Sequence, residues 1–198
     1  MKKTDIILAL IAGLGIGVLF AWLIKNSALQ IPYLMWVLPI IFTLASLFCL
    51  WLSYLIGRKF IFVFQLAKFV LIGAVFALLD LVVLNAFLQW FGITKGAKYS
   101  LFVGISFVIA TCVKYIADKY WAFEKKESEK VGSELTAFFI ITLISGGIQV
   151  GIASLIVDII NPLFGFSALA WANIGKIGGI VVASAWNFLG YKFIVFKK

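Results

Sequence analysis

Predominantly apolar runs recur along the chain at residues 6–24, 33–56, 69–91, 99–119, 135–159 and 168–191. About 20 such residues carry a helix across roughly 30 Å of hydrocarbon, so the pattern predicts an all-α integral membrane protein with six transmembrane helices. Lys2 and Lys3 precede the first run in the manner of a signal peptide. That run nevertheless reaches Ile24, beyond the about 7–15 apolar residues of a leader, and ends without a small-x-small cleavage site, so it is expected to remain as the first helix.

The polar positions inside the runs are spaced, not scattered. At 100° per residue, Asn173, Lys176, Ser184, Asn187 and Tyr191 fall within an arc of about 80° on the last helix. On the fifth, Thr142, Ser145 and Gln149 lie together, and on the fourth Lys114 and Asp118 form an i, i+4 pair beside Ala110 and Thr111. On the third, Asp80 shares its side with Gly73. Lipid cannot satisfy such groups, so the four stripes are expected to turn inward and form a polar core.

Composition agrees with the membrane reading and removes several chemistries. Hydrophobic residues make up 64% of the chain, charged residues 13%, and the mean hydropathy is +1.15. Soluble domains run about 45–50% apolar and about 25% charged, and disorder demands the opposite bias. With no histidine, His-based acid–base catalysis and His-containing zinc sites are excluded, and neither a metal nor a cofactor is expected. Cys49 and Cys112 lie in apolar runs and read as small hydrophobes. The net charge of +9 comes without any nucleic-acid-binding pattern, so no nucleic acid partner is expected. Its distribution is topological. Twelve of the 17 basic residues fall at the two termini and in the second and fourth connections, against Lys25, Lys95 and Lys98 on the opposite side. The positive-inside rule then places both termini in the cytoplasm and the protein in the cytoplasmic membrane. Lys114 and Lys176 are left over, inside spans.

The segment Arg58–Lys68, with Phe60, Phe62 and Phe64 among its charges, reads as an interfacial boundary between a two-helix N-terminal extension, residues 1–60, and a four-helix domain, residues 61–198. Within that domain an offset of 73 residues aligns Gly73 with Gly146, Ala97 with Ala170, Ala110 with Ala183, Lys119 with Lys192 and Phe123 with Phe196. This predicts a parallel repeat of two helical hairpins, and in transporters built on repeats the substrate site lies between them. Gly13 with Gly17, and Gly175 with Gly179, are spaced for close helix packing, and the stretch Glu124–Glu134, with four acids and three lysines, reads as a solvated connector.

Phe69, Gly73 and Asp80, the ending Asp118-Lys119-Tyr120-Trp121-Ala122-Phe123, and Asn187-Phe188-Leu189-Gly190-Tyr191-Lys192-Phe193-Ile194-Val195-Phe196 together resemble the GtrA-like family of small four-helix membrane proteins. The resemblance covers roughly residues 65–198. It implies a cytoplasmic-face motif built on Lys119, Trp121, Phe123, Lys192 and Phe196, and a role in moving polyprenyl-phosphate-linked sugars for cell-surface polysaccharide or teichoic-acid glycosylation. The chain departs from the family in its first two helices and in Lys114, which stands where an Asn matching Asn187 is more usual.

Lysine is a point charge suited to phosphate, so Lys114 and Lys176 are expected to bind the lipid phosphate at two depths, with Asn173, Asn187, Gln149, Asp80 and Asp118 completing the site. The competing expectation is that the two lysines and two aspartates simply neutralise one another and staple the bundle. No connection is large enough for a nucleotide-sugar domain, so the protein is expected to be a translocase and not an enzyme. The alternative is a membrane partner that anchors a glycosyltransferase. Four small helices enclose little space for a lipid headgroup, which favours a homodimer.

Overall fold

The computed structural model describes residues 1–25, 33–124 and 131–195, apart from the side chains of 112, 113 and 131. Among these residues there is no strand. The helices are α1 (Lys3–Lys25), α2 (Leu34–Gly57), α3 (Ile61–Phe91), α4 (Gly96–Ala117), α5 (Val131–Ser154) and α6 (Ala168–Gly190). Five helices are long and apolar enough to span a membrane, and Gly96–Thr111 with Lys114–Ala122 supplies a sixth when the two parts are taken as one. The protein is therefore an all-helical, multi-pass membrane protein.

Helix α3 starts earlier than the hydropathy pattern predicts. Instead of an interfacial connector up to Lys68, a short turn at Arg58–Phe60 leads straight into helix at Ile61. No Gly or Pro interrupts the segment that follows, and Lys68 is buried with carboxylate partners. It is a helix residue with its charge satisfied, which a hydropathy window reads as a loop.

The chain forms two compact units, Met1–Leu79 with Lys114–Glu124, and Asp80–Val113 with Lys125–Lys198. In the first, α1 and α2 are an antiparallel hairpin whose close approach depends on glycine. A Cβ on Gly13 would lie 2.6 Å from Thr43 Cα, and one on Gly17 only 2.3 Å from Pro39 Cα. The start of α3 packs on this hairpin, with Phe64 against Gly57 and its ring 5.6 Å from that of Tyr54.

In the second unit Leu84, Leu88, Tyr99, Phe102, Val103, Ala153, Val157, Trp171 and Ala172 make the core. Helices α5 and α6 meet at glycines. A Cβ on Gly175 would sit 2.5 Å from Val157 Cγ2, and one on Gly179 2.5 Å from the Gln149 carbonyl oxygen. The helix ends are tied by side chains. Ser167 Oγ accepts from the Ala170 N–H at the start of α6, Asp158 Oδ1 accepts from the Gly96 N–H at the start of α4 at 2.8 Å, and the Trp171 indole donates to the Ile160 carbonyl at 2.8 Å. The first two satisfy donors that a helix start leaves free.

Three helices run on into single π-helical turns, at Asp118–Ala122 after α4, Leu155–Ile159 after α5 and Tyr191–Val195 after α6. The first and third are 73 residues apart, the offset of the sequence repeat. Lys119 and Lys192 occupy the same place in the two turns.

Candidate functional site

Four helices of the second unit converge on one ammonium group. Lys176 of α6 is 0% exposed and Asp80 of α3 4%, and Lys176 Nζ lies 2.8 Å from Asp80 Oδ1. The same ammonium donates to the Val103 carbonyl at 3.0 Å and to Ser106 Oγ at 3.0 Å, both on α4. From α5, Gln149 Nε2 donates to Asp80 Oδ2 at 2.8 Å. An ammonium has three N–H donors, and all three are engaged. The Gly179 contact explains how the cluster is reached: with no Cβ at Gly179, α6 approaches the Gln149 backbone closely enough to bring Lys176 and Gln149 to the same carboxylate.

Asn173 belongs to a neighbouring pair. Asn85 Nδ2 donates to Asn173 Oδ1 at 2.7 Å, and Asn173 Nδ2 returns a bond to Asn85 Oδ1 at 3.0 Å. Asn187 is buried, and its Oδ1 has no hydrogen-bond partner among the described residues. Farther along α6, the hydroxyls of Thr142 and Tyr191 meet at 3.0 Å.

Lys114 and Asp118 lie in the first unit as the i, i+4 ion pair that their spacing predicts. The Lys114 ammonium also stands 4.3 Å from the Phe69 ring centroid. Asp118 is fully buried, and its Oδ1 has no hydrogen-bond partner among the described residues. Lys114, Asp118, Lys176 and Asp80 thus divide into two neutral pairs, one in each unit. An anion is not needed to neutralise either lysine, so a phosphate reaching Lys176 has to take the place of Asp80.

The motif residues are mostly buried. Lys119 Nζ reaches Tyr115 Oη at 3.4 Å, Phe123 packs with its ring 6.1 Å from that of Phe69, and Lys192 lies near the rings of Phe188 and Phe193. Phe196 is outside the described residues.

Trp121 leads to a cluster that the sequence pattern does not single out. Its indole N–H donates to Asp5 Oδ1 at 3.2 Å, and Lys68 Nζ lies 2.8 Å from that same oxygen. Lys68 also reaches Glu124 Oε1 at 2.7 Å, while Lys2 Nζ reaches Glu124 Oε2 at 2.6 Å. Partial burial alone would push the Glu124 carboxyl up, but the hydrogen bonds and charges of Lys2 and Lys68 outweigh it and hold the carboxyl at about 2. Glu124 in turn holds the Lys2 ammonium above the ordinary lysine value. In the sequence Asp5 is a lone acid at the start of an apolar run, two residues after Lys3.

The family model described as "GtrA/DPMS, transmembrane domain" matches residues 68–196. No curated protein and no solved structure matches the chain. The matched region starts at Lys68 and takes in the Lys114–Asp118 and Lys176–Asp80 pairs, the π turns at Asp118–Ala122 and Tyr191–Val195, and Lys119, Trp121, Phe123, Lys192 and Phe196.

Proposed function

The chain belongs to the GtrA/DPMS transmembrane-domain family, and from that premise we propose that it moves a polyprenyl-phosphate-linked sugar across the cytoplasmic membrane without making or breaking a covalent bond. The observation that carries the reading is the Asp80–Lys176 pair. A charge at the bilayer centre costs at least about 2.5–3.5 kcal/mol on insertion scales, and apolar side chains of similar volume pack a helix bundle without that cost. Lys176 keeps two neutral ligands on α4, Val103 O and Ser106 Oγ, and one charged ligand, Asp80, which is also held by Gln149. A phosphate oxygen replaces the charged ligand, since that exchange leaves the lysine neutralised and its other two bonds intact. The acyl chain stays in lipid throughout, and Asn173, Asn187, Lys114 and Asp118 are the further polar groups that the headgroup meets. Both termini are assigned to the cytoplasm, and the working assembly is a homodimer.

The test is transport by the purified protein in vesicles loaded with a labelled polyprenyl-phosphate sugar. The wild type is expected to equilibrate the label between leaflets, and the neutral double variant D80N/K176M is expected to fold and to lose that activity. Transport at the wild-type rate by the double variant would reduce the pair to a staple. A wild type that is inert alone but raises the output of a co-reconstituted glycosyltransferase would identify an anchoring partner instead.

A further inference from the structure

In the first unit, two ammonium groups converge on one carboxylate, and that carboxylate has the place of an exchangeable ligand. Lys68 holds Glu124 Oε1 at 2.7 Å and Lys2 holds Oε2 at 2.6 Å, one cation to each oxygen. Two point charges set on two oxygens of one centre fit a phosphate as well as a carboxylate. Lys68 is 1% exposed, so the inner half of the grip is built into the fold.

Three features set Glu124 apart from an ordinary structural partner. Lys68 already has a second carboxylate, Asp5, at 2.8 Å, and Asp5 is fixed independently by the Trp121 indole and by the Lys2 backbone N–H at 2.9 Å. Asp5 alone neutralises the buried lysine, which makes Glu124 surplus to that task. Glu124 also reaches its position with a left-handed backbone, φ 50, a conformation that L residues other than Asn and Asp rarely adopt. Finally its side chain is 33% exposed, unlike that of Asp5 at 3%. With Glu124 withdrawn, Lys2, Lys68 and Asp5 sum to a single positive charge, backed by the Phe64 ring 4.4 Å from the Lys68 ammonium.

We propose that Lys2 and Lys68 form a binding site for a phosphate-type anion, and that Glu124 is an internal anion that occupies the site until a phosphate displaces it. Because the Glu124 carboxyl is held at about 2, the exchange is competition between anions and is not triggered by pH in the neutral range. The site shares no residue with the Asp80–Lys176 cluster, and binding is read here without transport, so either reading can fail alone.

The experiment titrates the full-length protein in detergent with dioleoyl phosphatidate, read by native mass spectrometry, with dioleoyl phosphatidylcholine as the control lipid and inorganic phosphate in a parallel arm read by phosphorus NMR line width. If Glu124 fills the site about nine-tenths of the time, freeing the site tightens apparent binding about tenfold. Glu124→Gln is expected to show that gain for phosphatidate but not for phosphatidylcholine, and Lys2→Ala in the same background is expected to remove it. Lys2 is 63% exposed, so its truncation leaves the fold intact. Glu124→Ala is the second variant and is expected to behave as Glu124→Gln does. A gain confined to phosphatidate supports a lipid headgroup site, and a gain with inorganic phosphate as well supports a site open to free phosphate. No gain in either glutamate variant, or a gain that survives Lys2→Ala, overturns the proposal.

Discussion

Lys176 and Asp80 show what a buried charge costs when its partner is taken away. Removing one member of a buried pair leaves the other uncompensated, at about 3–5 kcal/mol, whereas replacing both by neutral groups of similar size costs far less. Lys176→Met alone is therefore expected to lower stability by about that amount, and Asp80→Asn in the same chain to recover most of it. Denaturant titration of the single and double variants in detergent checks this, and equal losses in both would show that packing and not charge holds the site. Glu124 gives a second residue-level expectation, with the sign set by its depressed pKa. Its ordinary value is 4.5 and its folded value about 2, so its stabilising contribution is present above 4.5 and is lost as pH falls towards 2. For Lys2 the folded value is raised above 10.5, so its contribution holds below that value and is lost as pH rises beyond it. The Tm penalty of Glu124→Gln is expected to stay flat from about pH 5 to 9 and to shrink on acidification towards pH 2. A penalty that is already gone at neutral pH would mean that Glu124 is not held by Lys2 and Lys68. Residue by residue, the site was legible where polarity interrupts an apolar run, as at Asp80, Gln149 and Lys176. Ser106 and Lys68 were not legible, because a serine in a helix and a lysine beside a turn look ordinary until the fold brings a charge to them.

At the scale of the element, the contact between α5 and α6 sets the geometry of the Asp80–Lys176 cluster. A methyl group on Gly179 would press on the Gln149 backbone at 2.5 Å, and backbone cannot swing aside as a side-chain tip can. Gly179→Ala is expected to cost about 1–3 kcal/mol, the range for overpacking. Gly147, on α5, has nothing within 4 Å of its would-be Cβ, so Gly147→Ala is expected to be neutral or to gain up to about 1 kcal/mol from helix propensity. Thermal unfolding of the two variants side by side makes the comparison, and equal behaviour would mean that the helices do not pack at Gly179. The spacing of Gly175 and Gly179 announces this contact in the sequence. The π turns were not announced, because one extra residue per turn leaves no mark on hydropathy. They became visible only in the backbone, where two of them fall at the offset that aligns Lys119 with Lys192. The early start of α3 was hidden for a related reason, since a charged residue at a span end carries the same signal whether it is solvated or paired.

Across the whole molecule, each compact unit ties its own helix ends together, and the distribution of charge along the chain predicts the orientation. The start of α1, the start of α3 and the turn after α4 come together through Asp5, Lys68, Trp121 and Glu124. In the second unit the middle of α5 meets the end of α6, where the Thr142 and Tyr191 hydroxyls hydrogen-bond and the Trp186 indole donates to the Ile141 carbonyl. At the other ends, Asp158 after α5 binds the start of α4, and Trp171 at the start of α6 binds Ile160. By the positive-inside rule, the excess of basic residues at the termini and in the second and fourth connections predicts that their side is cytoplasmic. A fluorescent protein fused after Lys198 is expected to light up in cells, while alkaline phosphatase fused there stays inactive. Fused within the connection at Lys95 to Lys98, the phosphatase is expected to be active. Lys2→Glu with Lys3→Glu is expected to leave both results unchanged, because the remaining ten basic residues of that side still outnumber three. Reversal by those two substitutions alone would show that the first helix, and not the sum of the connections, orients the chain.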